Sequence, residues 1–183
     1  RREARDAVAA LHACGIGKVV MMTGDNRQTA QAVAREGGVD AVYAEVLPED
    51  KAAFIRSEKA AGHTVIMVGD GVNDSPALSE ADAGVAISTG AAIAREIADI
   101  TIASEDLFEL VTLRRLSQAL MARIHRNYRF IVGFNLSLIL LGVAGLLPPT
   151  TSALLHNMST LGISLKSMTD LGPELPSPTP AER

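Results

Sequence analysis

The sequence predicts an α/β fold: a parallel sheet with helices on its faces, continued by a long helix and an apolar helical hairpin. Three observations predict it. Short apolar runs alternate with helix-periodic segments over the first part of the chain, the pattern of a parallel sheet covered on both sides. Two of those runs, Val19–Met22 and Val65–Val68, stop in turns rich in glycine and aspartate, Thr23-Gly24-Asp25 and Gly69-Asp70-Gly71. From Phe130 to Leu165, 36 residues pass without an Asp, Glu, Lys or Arg.

Each element has its own signal. Arg2–Cys14 spaces Ala, Val and Leu for one face of a helix, and Gly15 and Gly17 end it. Val19–Met22 is the first strand. Asn26 or Asp25 caps a helix over Arg27–Glu36, which Gly37-Gly38 closes. Ala41–Ala44 is a short second strand, and Glu49–Ala60 a helix ended by Gly62. Thr64–Val68 is the third strand. A helix over Pro76–Glu80 follows, with proline suited to its first turn. Ala83–Ile87 and Asp99–Ile102 are the fourth and fifth strands, with a short helix over Ala91–Ile97 between them.

Leu107–Tyr128 reads as one long helix, with Leu110, Leu113, Leu116, Leu120 and Ile124 at helical spacing. It either packs on the domain or forms a stalk. Phe130–Leu147 is 18 residues without a charge, Pro148-Pro149 breaks it, and Thr150–Leu165 adds 16 more. At ~1.5 Å per residue the first segment approaches the ~30 Å apolar thickness of a bilayer. The expectation is a transmembrane hairpin over 130–168, with both ends cytoplasmic because Arg114, Arg115, Arg123, Arg126 and Arg129 precede it and Lys166 follows. A buried helical hairpin is the alternative. The predicted domains are 1–106, a stalk over 107–129, the hairpin, and a flexible proline-rich tail over 169–183.

Composition narrows the function. A net charge of −4 gives no global argument for nucleic acid. Cys14 is the one cysteine, so no disulfide within the chain is possible. The chain opens at Arg1 inside a helix-like segment with no signal peptide in view, and is expected to be part of a longer protein. Gly69-Asp70-Gly71 continues as Val-Asn-Asp, so a dinucleotide GxGxxG turn fails at its third glycine, and no GxxxxGK[ST] loop occurs.

The chemistry gathers at the strand ends. Asp70 and Asp74 are hard-oxygen groups at and just beyond the end of Val65–Val68, where open α/β sheets carry their sites, and such a pair suits Mg²⁺. Asn73 can orient them or bind a substrate oxygen. Thr23 offers a hydroxyl and its turn offers backbone N–H groups for a phosphate. Lys51, in Leu47-Pro48-Glu49-Asp50-Lys51, offers a compact positive charge. Asp and Gly also recur at such turns for turn geometry alone. In the apolar part, Asn135, His156, Asn157, Met158, Ser159 and Thr160 are candidate contacts for a transported ion, or polar groups that bond within and between helices.

Val20–Asn26 (VMMTGDN), Pro48–Lys51 (PEDK) and Val68–Leu78 (VGDGVNDSPAL) resemble, in the right order, successive motifs of the phosphorylation domain of P-type cation-transporting ATPases. The resemblance implies a Rossmann-like parallel sheet of the haloacid-dehalogenase-like kind, incomplete here. It implies ATP and Mg²⁺ as cofactors, and an upstream Asp-Lys-Thr-Gly aspartate as the phosphoryl acceptor, on a strand beside Val65–Val68. It gives Asp70 and Asp74 to Mg²⁺, Asn73 and Thr23 to the phosphoryl group, and Lys51 to charge neutralisation. Gly24, Asp25, Gly69 and Gly71 lie toward the nucleotide and metal.

The membrane part is similar to the last two helices of heavy-metal-transporting P-type ATPases, with Phe134-Asn135 and His156–Thr160 (HNMST) in place of their usual ion motifs. That implies a C-terminal fragment of a transition-metal pump, multi-pass in the plasma membrane. Its partners would be the bilayer, the ion and its own upstream domains, with no nucleic acid; alone it would be inactive. The rivals are a phosphatase of the same superfamily with a membrane-anchoring hairpin, and a non-catalytic membrane module.

Overall fold

The computed structural model describes residues 2–70, 73–87, 97–103 and 106–171. The predicted helix over Ala91–Ile97 lies outside these residues except at Ile97, as do Gly71 and nearly all of the tail. The chain divides into two compact units, one built on Arg1–Thr112 and the other on Leu113–Ser177.

The first unit alternates helix and strand: α1 (Arg2–Ala13), β1 (Val20–Met22), α2 (Arg27–Gly37), β2 (Ala41–Tyr43), α3 (Pro48–Ala60), β3 (Ile66–Gly69), α4 (Ser75–Glu80), β4 (Ala83–Ile87) and β5 (Ile100–Ile102). Every ladder is parallel, as the alternation requires. β1 pairs with β2, Val20 opposite Ala41. β3 pairs with β4, Ile66 opposite Ala83, and β4 with β5, Val85 opposite Ile100. Among the described residues these three ladders form two separate sheets, β1-β2 and β3-β4-β5.

The helix ends follow local chemistry. Asn26 Oδ1 accepts from Thr29 N–H at 2.9 Å and starts α2. Gly38, at φ 68°, closes it by donating its N–H to Ala34 O at 2.9 Å, a left-handed cap that glycine takes without steric cost. The core joins Ile55 of α3, Met67 of β3, and Ala77 and Leu78 of α4, with Met22 of β1 packed against them. Ile55 and Leu78 are each 1% exposed, and burying such a side chain stabilises by about 1.5–3 kcal/mol. A second cluster joins Ala10 and Cys14 to Val111.

One device starts all three ladders. The residue just before β2, β4 and β5 is an aspartate, and its carboxylate accepts the N–H of the residue just before the paired stretch of the neighbouring strand. Asp40 accepts from Val19 at 2.6 Å, Asp82 from Val65 at 2.8 Å and Asp99 from Gly84 at 2.8 Å.

The second unit takes up most of α5 (Phe108–Val143) and all of α6 (Pro149–Ser167). Arg123, 4% exposed, donates to Thr169 O at 2.6 Å and Asp170 O at 2.8 Å, satisfying carbonyls just beyond α6. Here the expectation of a transmembrane hairpin is corrected: among the described residues no helix is long and apolar enough to cross a membrane. The first uncharged segment does not run helical to Leu147. α5 stops at Val143, Gly145 turns the chain at φ 72°, and Pro148 leads into α6. Only Phe130–Val143 of the uncharged stretch is helical in α5, roughly 21 Å at ~1.5 Å per residue against ~30 Å of hydrocarbon. Extending that window upstream brings in Arg126, Asn127 and Arg129. α6 carries His156, Asn157, four serines and Lys166 within its 19 residues. The membrane-spanning part of the fold, the lipid partner and the multi-pass membrane placement fall with the hairpin.

Of the six candidate ion contacts, four bond within or between the helices and two lie exposed. Asn135 Oδ1 and His156 Nδ1 bond at 2.8 Å between the two helices. Ser159 and Thr160 both donate their hydroxyls to His156 O within α6, at 2.8 and 3.0 Å. Asn157 lies exposed on α6 and Met158 is 63% exposed. The membrane ion path expected for these six falls with the spanning hairpin, since no helix among the described residues is long and apolar enough to cross a membrane.

Candidate active site

β1 delivers Thr23 to its C-terminal end. The backbone there is laced to the loop after β2: Thr23 N–H donates to Tyr43 O at 3.0 Å, Val46 N–H to Thr23 O at 3.1 Å and Glu45 N–H to Asp25 O at 2.9 Å. Glu45 takes φ 59°, a costly conformation for a side-chain-bearing residue, to complete that lacing. Thr23 Oγ1 donates to Asp25 Oδ2 at 2.9 Å and accepts from Asp25 N–H at 3.1 Å. Asp25 thus orients the hydroxyl. Gly24 has room to spare: a Cβ there would meet nothing closer than Val46 O at 3.8 Å.

β3 delivers Gly69 and the exposed Asp70. Asn73 is exposed beyond the turn, and Asp74 stands at the start of α4, where its carbonyl accepts Leu78 N–H at 2.8 Å. The Asp74 carboxylate folds back across the strand end. A Cβ on residue 69 would lie 2.6 Å from Asp74 Oδ2 and 2.8 Å from its Cβ, so only glycine fits beneath it. The other oxygen, Oδ1, meets Lys51 Nζ at 2.7 Å, with side chains 15% and 13% exposed for Lys51 and Asp74. Lys51 lies in the first turn of α3, placed there by Pro48 at the helix start. The fold therefore brings Lys51, Gly69 and Asp74 together. Thr23 bonds instead to Asp25, Tyr43 and Val46; the residue before it, Met22, packs on the core shared by α3, β3 and α4.

The donor set fits Mg²⁺. Asp70 and Asp74 offer oxygen ligands only, and no group of three or more His, Cys, Asp or Glu gathers among the described residues. Mg²⁺ is usually held by one or two carboxylates, with waters and phosphate oxygens completing its shell. A hollow of about 390 Å³ along α2 and β2 is lined by Arg27, Gln31, Tyr43 and Val46 among others; it adjoins the Thr23 turn through Tyr43 and Val46, and Lys51, Asp70 and Asp74 are not in its lining.

Sequence reasoning did not single out the strand-start aspartates as functional. The signal was present in Val39-Asp40, Ala81-Asp82 and Ala98-Asp99, each leading into a strand. At Asp82 the Val65 N–H is the main cause that holds the carboxyl below its usual range. Desolvation opposes it, and the bond and charge of Lys59 add to the lowering.

Known proteins resemble the chain in sequence and in fold. Residues 1–82 match the model of the haloacid dehalogenase-like hydrolases. The Manganese-exporting P-type ATPase of Mycobacterium tuberculosis (strain ATCC 25618 / H37Rv) is 41% identical over 168 residues, 91% of this chain and 23% of that protein. The Copper-exporting P-type ATPase of Staphylococcus aureus (strain Newman) is 44% identical over 160 residues, 87% of this chain and 20% of that protein. The chain thus spans about a fifth to a quarter of these relatives.

Among solved structures, a zinc-transporting PIB-type ATPase in the E2.Pi state superposes with TM-score 0.83 at 31% identity, covering 92% of this chain and 27% of that one. The catalytic CPx-ATPase domain CopB-B does so with TM-score 0.56 at 34% identity, covering 62% and 45%. With no spanning helix among the described residues, the expected membrane-spanning C-terminal fragment is corrected; what the likenesses support is a haloacid dehalogenase-like catalytic domain related to PIB-type ATPases. The fold is that of an enzyme's catalytic domain, and the likeness to P-type ATPases supports Mg²⁺ and ATP as its cofactors.

Proposed function

We propose that this chain supplies the Mg²⁺- and phosphate-contacting part of the phosphorylation domain of an ATP-driven, transition-metal-handling P-type ATPase. The observation that carries the reading is the Lys51–Asp74 pair folded over Gly69 at the end of β3. A shielded ammonium held beside a carboxylate is the arrangement that a transferring phosphoryl group needs next to its metal.

Each residue has a task. Asp70 and Asp74 hold Mg²⁺, which neutralises charge on the phosphoryl oxygens when bound. Lys51 has three N–H donors, of which one goes to Asp74 and two remain for phosphoryl oxygens. Thr23 turns its hydroxyl from Asp25 to the phosphoryl group, and Asp25 keeps the rotor close to that position. Asn73 contacts the phosphoryl region with its amide. The acceptor aspartate comes from a strand outside this chain. Among the described residues β1 pairs only with β2, and β3 only with β4, so one further parallel strand between β1 and β3 would join the two sheets.

The identities of 41–44% to manganese- and copper-exporting ATPases favour an ATPase over a phosphatase. Binding of a beryllium fluoride phosphoryl analogue to the complete protein, with and without Mg²⁺, tests the site. Mg²⁺-dependent binding lost in Lys51→Met is expected; binding indifferent to both rejects the reading. ATP hydrolysis by the complete protein across manganese, copper and zinc tests the cargo, with stimulation by at least one of them expected.

A further inference from the structure

The helix that carries Lys51 and the strand that carries Asp70 are each fastened at the far end from the site, and by the same residues. Lys59, in the last turn of α3, reaches Asp82 Oδ1 at 3.3 Å and Glu80 O at 2.8 Å. Asp82 in turn accepts Val65 N–H at the start of β3, and Val65 O accepts Asp82 N–H at 3.0 Å and Ala83 N–H at 3.3 Å. Lys51 and Lys59 are eight residues apart on one helix, about 12 Å at 1.5 Å per residue. Val65 and Gly69 are separated by a similar distance, about 13 Å of extended strand. The buried Ile55 sits between the two fastenings and packs on Met67 and Leu78.

β3 has four residues and one paired edge among those described. A one-residue slip of β3 would turn every side chain, the buried Met67 included, to the other face, so its register has to be held. A charge-assisted bond at its first N–H is about twice as strong as a neutral one.

We propose that Asp82, held by Lys59, is a positioning residue for the phosphoryl-transfer site: it fixes β3 against β4 and α3, and thereby sets Asp70 and Asp74 relative to Lys51. This rests on the functional reading above. The other staples supply the control. Asp99 makes the same kind of bond to Gly84 on the β4–β5 ladder, which carries no candidate site residue.

The test uses the complete protein with Asp82→Asn, Lys59→Met and Asp99→Asn. The Asp82→Asn change keeps an acceptor for Val65 N–H, which Asp82→Ala would remove. Two quantities are read: amide hydrogen exchange over Ile66–Gly69 without Mg²⁺, and the Mg²⁺ concentration for half-maximal aspartyl-phosphate formation. Asp82→Asn and Lys59→Met are expected to speed exchange over Ile66–Gly69 and to raise the half-saturating Mg²⁺ about tenfold. Asp99→Asn, at a similar loss of melting temperature, should leave both near wild type. Equal Mg²⁺ dependence in Asp82→Asn and Asp99→Asn, or unchanged exchange over Ile66–Gly69, would overturn the proposal. If Asp70→Asn phosphorylates normally, the functional reading fails instead, and the exchange data still decide whether Asp82 positions β3.

Discussion

Lys51 Nζ and Asp74 Oδ1 lie 2.7 Å apart across 23 residues of sequence, with side chains 15% and 13% exposed. Removing one partner leaves the other charge shielded and unpaired, whereas removing both leaves nothing to solvate. Lys51→Met should therefore cost about 3 kcal/mol, the lower end for a broken buried pair. The double variant Lys51→Met/Asp74→Asn should cost less than the two single changes added together. Denaturant unfolding of all three variants measures the coupling. Lys51→Arg should not substitute, since the planar fork cannot occupy the space of a compact ammonium.

Gly69 and Gly24 look alike in sequence, each beside an aspartate at a strand end, but the structure separates them. A methyl group at 69 would strike the Asp74 carboxylate at 2.6 Å, whereas one at 24 meets nothing within 3.8 Å. Gly69→Ala should lose about 1–3 kcal/mol through overpacking and displace Asp74 from Lys51. Gly24→Ala should stay within about 0.5 kcal/mol of wild type. Thermal melts of the two variants side by side check the contrast.

Asp82 makes stability depend on acid. Its folded carboxyl is held below the ordinary range, chiefly by the Val65 N–H, so the folded state binds that proton less readily than the unfolded chain. The stabilisation is fully present above the unfolded carboxylate pKa, about 3.9, and is lost as pH falls through the lower folded value. Wild type should thus exceed Asp82→Asn in stability at pH 6, and the gap should close below about pH 4. Urea titrations of both proteins from pH 6 to pH 3 measure it.

Much of the first unit was legible in the sequence, because its signals are local. Short apolar runs marked strands at Val20, Ala41, Ile66, Ala83 and Ile100, two of them stopped by glycine-aspartate turns, and the turn after Leu47 placed Lys51 at a helix start. Partnership across the chain was not legible. Nothing local says that Lys51 meets Asp74, or that Thr23 is turned by Asp25. Asp40, Asp82 and Asp99 stand before strands in the sequence, and their bonds to neighbouring strands emerge only in three dimensions. The hairpin expectation fails for a physical reason. Absence of charge from Phe130 to Leu165 is not apolarity: the stretch holds Asn135, His156 and Asn157, and α5 ends at Val143 instead of running to Leu147. Length and polarity together, not charge alone, decide whether a helix spans a bilayer.

The most direct test of the phosphoryl-transfer reading is aspartyl-phosphate formation from ATP in the complete protein, comparing Asp70→Asn with Asn73→Ala. Loss of the phosphoenzyme in Asp70→Asn, with a partial reduction in Asn73→Ala, is the predicted result. Near-normal, equal phosphorylation in both variants would contradict it.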